Sequence, residues 1–379
     1  AASAQTTASA AAPAMPPASA ASFAADAHAD TRIKAVTIAH GLQNPWALAF
    51  LPDGRMLVTE RPGRMRIVER DGRVGAPLAG VPKVDAGGQG GLLDVVLHPQ
   101  FERNHLVYWS YSEPGSAELG RGNSTAVARG RLEGERLEGV ELVFRQLPKV
   151  ASAQHFGSRL VFAPDGTLFI TLGDRFSRKD DAQALDNHIG KIVRVTADGK
   201  LPADNPFAGR DGARPEIWSF GHRNIQGAAI NPASGELWAS EHGPQGGDEL
   251  NLIARGGNHG WPVITYGRNY GTGTRIGEGT ARADVVAPLR HWVPVSIAPS
   301  GMAFLTSERY PGWKGSLFIG ALRAEALLRI ELDGRKLLRE ERLLTNLNLR
   351  VRDVRQGPDG LLYLLSDNAD GRIIRLDPR

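Results

Sequence analysis

No cysteine occurs among the 379 residues, which excludes disulfide frameworks, thiolate nucleophiles and Cys-ligated zinc or iron–sulfur centres. The formal charge is +4, from 45 basic and 41 acidic residues, and no Lys/Arg-rich run marks a nucleic-acid binder. Hydrophobic residues at 41% suffice for a large core, yet no run reaches the roughly 18 apolar residues that would span a bilayer.

Residues 1–30 are Ala, Ser, Thr and Pro with hardly any large apolar side chain, too little to offset the entropy of ordering. This segment is read as a flexible leader left after export, which places the protein in the periplasm or outside the cell. A cytosolic low-complexity tail is the alternative. The remainder, 31–379, reads as one domain.

From residue 35 onward the pattern is a short apolar run, a turn, and a second β-rich run. The clearest copies are FLPDGRMLVTE (50–60), FAPDGTLFITLGD (162–174) and RQGPDGLLYLLSDN (355–368). Looser copies lie at 96–111, 230–241 and 304–322. In Pro-Asp-Gly, Pro presets φ, Asp caps the turn and Gly accepts a positive φ. Each copy is followed by another strand-like run, at 64–72, 125–134, 191–199, 250–257, 326–334 and 372–378. Six such pairs at irregular spacing predict an all-β, six-bladed β-propeller of four-stranded antiparallel blades. The run TRIKAVTIA (31–39) is expected to close the ring by completing the last blade. A β-sandwich pair and a β-helix are the alternatives.

The segments that interrupt this pattern carry the polar residues, and loops of a propeller converge on a mouth. In AGGQGGLLDV (86–95), four glycines around Gln89 allow backbone to approach a ligand, or simply form a turn. His155, in QHFGSRL, sits just before a strand and is a candidate general base near neutral pH; most of the ten histidines should be structural or solvated. Arg159 fits either a ligand or a salt bridge. Arg223 and Asn224, in FGHRNIQG, fit a quinone, carboxylate or phosphate, or Arg223 pairs with a structural acid. The stretch SEHGPQGGDELNLIARGGNHGWP (240–262) offers Glu241, Asp248, Glu249 and freed carbonyls as hard oxygen donors for Ca²⁺, without EF-hand spacing. Arg323 adds charge, and Arg350 and Arg352 alternate so as to share one face, where they need an anion or acids to answer them.

Taken in order, GLQNPWALAFLPDG, GGQGGLLDV, HFGSRL, PADNPF, GHRN, EHGPQGGDELN, NHGWP and RVRDVRQGPDG resemble the soluble pyrroloquinoline quinone (PQQ)-dependent sugar dehydrogenases. The likeness is to their aldose sugar dehydrogenase branch and covers about 41–360. It implies oxidation of an aldose at C1 to the lactone, with hydride passing to PQQ, Ca²⁺ as second cofactor and His155 as base. By the same resemblance Arg223 stabilises the reduced quinone, and Gln89, Asn224, Tyr270, Arg323, Arg350 and Arg352 contact PQQ. Gly243 and Pro244 match carbonyl ligands of the cofactor calcium. Glu249 and the His259 carbonyl match a second, structural calcium, and Asp174 a position near the sugar.

Two departures stand out: Gly157-Ser158 replaces a frequent Gly-Gly pair, and Arg323 a frequent Lys. A calcium-dependent sugar lactonase and a non-catalytic ligand-binding propeller are the rival readings. The preferred aldose, the electron acceptor, and a monomeric or dimeric state are not legible.

Overall fold

A computed structural model describes residues 30–379, so the expected leader at 1–30 lies almost wholly outside the described residues. Strand β1 (Ile33–Leu42) precedes the blades. Blade 1 holds β2 (Pro45–Phe50), β3 (Met56–Glu60), β4 (Arg64–Val68) and β5 (Val74–Pro77). Blade 2 holds β6 (Leu92–Leu97), β7 (Leu106–Ser116), β8 (Gly120–Glu133) and β9 (Arg136–Arg145). Blade 3 follows with β10 (Leu160–Phe162), β11 (Leu168–Thr171), β12 (Lys191–Val195) and β13 (Ile217–Phe220). Blade 4 has β14 (Ile225–Ile230), β15 (Leu237–Glu241), β16 (Asp248–Leu252) and β17 (Arg290–Trp292). Blade 5 has β18 (Pro299–Phe304), β19 (Leu317–Ala321), β20 (Ala326–Asp333) and β21 (Lys336–Leu343). Blade 6 has β22 (Val351–Gln356), β23 (Leu362–Ser366) and β24 (Gly371–Pro378).

The expected closure is present. β1 pairs antiparallel with β24, from Ile33 opposite Pro378 to Leu42 opposite Gly371, so the sixth sheet joins both ends of the domain. All six sheets are four-stranded and antiparallel, as the repeats predicted. The Pro-Asp-Gly turns join first to second strands. Residues 112–124 form the end of the long β7–β8 hairpin. No described helix is long and apolar enough to cross a membrane.

Apolar faces of neighbouring blades pack against each other and form the core. Trp109, Leu57 and Met65 are buried between blades 1 and 2, and Tyr108, Ile170 and Val193 between blades 2 and 3. The first strands β2, β6, β10, β14, β18 and β22 neighbour one another in a closed ring about the axis. In five of the six blades this strand carries one extra residue against its partner near its start. Such bulges re-aim side chains. They fall at Trp46, Leu93-Asp94, Gln226, Ser300-Gly301 and Arg352, residues that surround the axis.

The axis is filled by charge. Arg159 Nη1 lies 3.2 Å from Asp353 and 3.5 Å from Asp94, while Arg355 reaches Asp94 at 2.8 Å and Asp353 at 2.9 Å. Arg159 also donates to the Gln226 and Arg352 carbonyls, at 2.6 and 3.1 Å. The Leu160 and Leu48 amides donate to Asp94 and Asp353. A side chain at Gly301 would run into Asp353 and Arg159, which accounts for glycine there. Every first strand therefore touches one network, in which each charge has a partner.

Removing one partner of a buried ion pair leaves the rest uncompensated and costs about 3–5 kcal/mol. Asp353→Asn is therefore expected to lose about 3 kcal/mol or more in urea unfolding. Arg73→Ala, which breaks an exposed pair with Asp71, should not shift the same transition. A silent Asp353→Asn would contradict the structural weight given to the axis.

Candidate active site

Because successive strands alternate in direction, every first strand starts and every second strand ends at the same mouth. His155, Arg223 and Arg350 lie just before first strands, and Asp174, His242 and Asp367 just after second strands. The interruptions noted in the sequence therefore meet on one face.

His155 stands on strained backbone. Its φ is +55°, and Gly157 and Ser158 follow at +61° and +95°, so three of four residues occupy the left-handed region. A side chain at Gly157 would collide with the Leu172 backbone, and one at Gly173 with the His155 carbonyl. The two glycines thus let 155–158 cross directly over 171–174. Ser158, where Gly-Gly was the commoner pattern, holds its conformation through its amide on Thr171 O at 2.7 Å and its hydroxyl on Phe156 O at 3.0 Å.

This crossing brings His155 Nδ1 to 2.6 Å from Asp174 Oδ1. The carboxylate accepts two further bonds, from Trp261 Nε1 at 2.7 Å and the Phe176 amide at 2.8 Å. An acceptor this well satisfied keeps the proton on Nδ1 and leaves the Nε2 lone pair outward. Burial and the nearby Arg223 push the imidazole below its usual range, although the Asp174 bond pulls upward. Burial opposes charge on Asp174, but the His155 bond and Arg223 outweigh it and keep the carboxyl below its usual range. Asp174 is 1% exposed and stands behind the histidine. Gln89 joins the same centre: its Oε1 accepts the His155 amide at 2.9 Å.

Arg223 and Asn224 lie alongside. Asn224 Oδ1 accepts from the Gly157 amide at 3.1 Å. Arg223 Nη1 donates to the carbonyls of Gly243 at 2.7 Å and His242 at 3.1 Å, and its guanidinium sits 5.4 Å above the Trp261 ring. Arg350 stands just before β22, and Arg352 at its bulge. Both meet Asp367, at 3.5 and 2.9 Å, and Arg61 adds its charge to the same acid. Three guanidinium groups around one carboxylate leave this cluster net positive. The buried Nε atoms of Arg61 and Arg352 have no partner. This donor set fits a polyanion. Arg323 and Tyr270 are exposed on the rim, Tyr270 at 59%, and neither side chain touches the inner group.

The 240–262 stretch divides its acids unequally. Asp248, expected as an oxygen donor to metal, is consumed by structure. It accepts the Gly243 amide at 2.7 Å on one oxygen, and Ser296, Ile297 and Ala298 on the other. Glu241 accepts the Arg223 amide, His222 and Asn251. Glu249 bonds only Asn251, at 3.2 Å, and has no cationic partner among the described residues. Burial and the charge of Glu241 push its carboxyl well above the usual range. Asn251 Oδ1 is also buried without a partner. A cavity of about 10 Å³, room for one water-sized body, is bordered by Glu241, Gly243, Glu249 and His259. No cluster of three His, Asp or Glu side chains with metal-binding geometry occurs among the described residues. A cation here would rely on Glu249 together with amide and carbonyl oxygens, hard donors that suit calcium.

Trp261, Gln226 and Asp367 were not singled out in the sequence. Trp261 lay within the quoted NHGWP, but nothing local ties it to Asp174. Gln226 links blades: its Oε1 accepts from Arg352 at 2.9 Å and its Nε2 donates to Gly157 O at 3.3 Å.

Residues 42–375 match the family described as Glucose / Sorbosone dehydrogenase. The aldose sugar dehydrogenase of Escherichia coli is 47% identical over 345 residues, covering 89% of this chain and 91% of that protein. The crystal structure of the soluble aldose sugar dehydrogenase from Escherichia coli, an apo-form, aligns with a TM-score of 0.88 at 45% identity, over 92% of this chain and 100% of that one. The PQQ-bound aldose sugar dehydrogenase from Streptomyces coelicolor aligns with a TM-score of 0.74 at 31% identity, over 93% and 100%.

The His155 geometry makes a titration testable by NMR of the imidazole carbons. Its midpoint should lie below 6.5, and Asp174→Asn should lower it further, since the carboxylate favours the imidazolium. The folded chain then binds this proton less readily than the unfolded chain. This contribution to stability is complete above pH 6.5 and declines as pH falls from there, until the folded imidazole itself protonates. A midpoint above 6.5 would contradict the assignment.

Proposed function

The chain belongs to the glucose/sorbosone dehydrogenase family, and we propose that it oxidises aldose sugars at C1 to the lactone, with PQQ and Ca²⁺ as cofactors. The observation that carries this reading is the free Nε2 of His155. It is backed by Asp174 and Trp261, and opens on a mouth where Arg350, Arg352 and Arg61 surround Asp367. PQQ has three carboxylates, which suits the arginines around Asp367 and the two unpartnered Nε atoms.

When bound, PQQ supplies the quinone that accepts the C1 hydride, and calcium the Lewis acid that polarises it. Gln89, Arg223, Asn224, Arg350 and Arg352 would hold PQQ from the inner mouth, with Tyr270 and Arg323 from the rim. The Gly243 and Pro244 carbonyls would hold the cofactor calcium. One lone pair of the Gly243 oxygen is already taken by Arg223, which leaves the other for metal. Glu249, with the His259 carbonyl, would hold the second calcium.

The chain's own work is proton handling and positioning. His155 Nε2 takes the proton of the C1 hydroxyl, and Asp174 stabilises the imidazolium that forms. Trp261 and the Phe176 amide keep Asp174 from rotating away. Arg223, pinned through its amide to Glu241, keeps a positive charge beside the reacting centre. Each aldose oxidised releases two electrons that must leave the protein, so turnover needs an external electron acceptor. The composition of residues 1–30 supports a periplasmic or secreted location.

Reconstitution with PQQ and Ca²⁺ should yield dye reduction dependent on glucose or another aldose. A loaded protein that turns over no aldose would overturn the reading. His155→Ala should lose about 10²–10⁴-fold in turnover while the protein-bound quinone absorbance remains. Independently, Ca²⁺ should raise the thermal midpoint. Glu249→Gln should diminish that rise and also stabilise the metal-free protein, because it removes a buried carboxyl without a cationic partner.

A further inference from the structure

Immediately after Asp174 the chain does something costly. Arg175 and Phe176 both adopt positive φ, +57° and +63°, although neither is glycine. Such backbone persists only where the surroundings over-determine it. Arg175 provides that hold. Its side chain is fully buried, 4.1 Å above the Phe156 ring, and donates to the carbonyls of Gln154 at 3.1 Å, Asn123 at 2.7 Å and Ser152 at 2.7 Å, and to the Asn123 side chain. No carboxylate bonds it, and burial pushes its pKa down to about 10. A buried guanidinium answered only by carbonyls is expensive, and what it secures is the position of the next residue.

That residue, Phe176, is 53% exposed. Its ring centre lies 5.5 Å from that of His155, at 78°, and its amide is tied to Asp174. A large apolar side chain held rigidly in solvent, beside the candidate base, is an unusual use of strain and burial.

We infer that Phe176 is the platform on which the apolar C–H face of a pyranose rests while its C1 hydroxyl reaches His155 Nε2. The inference builds on the aldose reading and adds a substrate-binding residue to it. A pyranose with equatorial hydroxyls presents a patch of C–H bonds on its faces, and a rigid aromatic ring buries such a patch at little entropic cost. The same ring would not help a small open-chain alcohol, which has no such face.

The test uses the PQQ- and Ca²⁺-loaded protein and 1,5-anhydroglucitol, a pyranose that lacks the C1 hydroxyl and cannot be oxidised there. Phe176→Ala is expected to weaken calorimetric binding of this analogue about tenfold and to raise the glucose KM by a similar factor. The quinone absorbance should be unchanged and kcat nearly so, and Phe176→Tyr should restore both affinity and KM. The exposed side chain makes these variants safe for folding. Unchanged affinity in Phe176→Ala, no rescue by Tyr, or an analogue that the wild-type protein does not bind overturns the platform. A loaded wild-type protein that oxidises no aldose overturns the proposed function instead.

Discussion

Arg159 sits on the axis of the ring with Asp94 on one side and Asp353 on the other, and Arg355 closes the square. Around an open channel, six inner strands would expose unpaired backbone and a column of water. Here the strands are joined through charges that satisfy one another and accept the Leu48 and Leu160 amides. Burying four charges is costly, and the cost is recovered only when all partners are in place. The blades must therefore be in register before the network forms. The axis then becomes a rigid floor beneath the mouth.

That floor continues upward into the site. Arg159 donates to the carbonyls of Gln226 and Arg352, and Gln226 in turn binds Arg352 and the Gly157 carbonyl. Positions of the arginine cluster, Asn224 and the His155 loop are consequently coupled through blades 3, 4 and 6. The strain at His155, Ser158, Arg175 and Phe176 is tolerable because each strained residue is tied to a different strand or loop. Groups placed in this way need little reorganisation when a substrate binds, which is what acid–base chemistry asks of a protein.

The mouth also sorts its charges. Arginines gather at Asp367, while Glu241 and Glu249 crowd a small cavity. Asp248, between the two regions, has its oxygens satisfied by four uncharged protein donors that fold its loop. Sequence could not tell these acids apart. All three stand within nine residues of one another, and their roles differ only in which amides the neighbouring strands deliver.

The ring, its six blades and the closing strand were legible because turn chemistry and two-residue alternation are local. Pro-Asp-Gly bends the chain wherever it stands, and the run at 31–39 alternates as an edge strand does. The chemistry-bearing segments were legible for a related reason, since those that carry His155 and Arg223 interrupt the repeated strand–turn–strand pattern. Asp94 and Gln226 were harder, because each lies at a bulge, where one extra residue turns a side chain toward the axis without altering the apparent pattern. Trp261 was harder still: it reaches Asp174 from 87 residues further along the chain. The sequence by itself determined the toroid and which loops would carry polar groups. The tertiary structure decided which acid backs which base, because that depends on how 155–158 crosses 171–174 and where the Trp261 loop lands, and no local rule encodes those contacts.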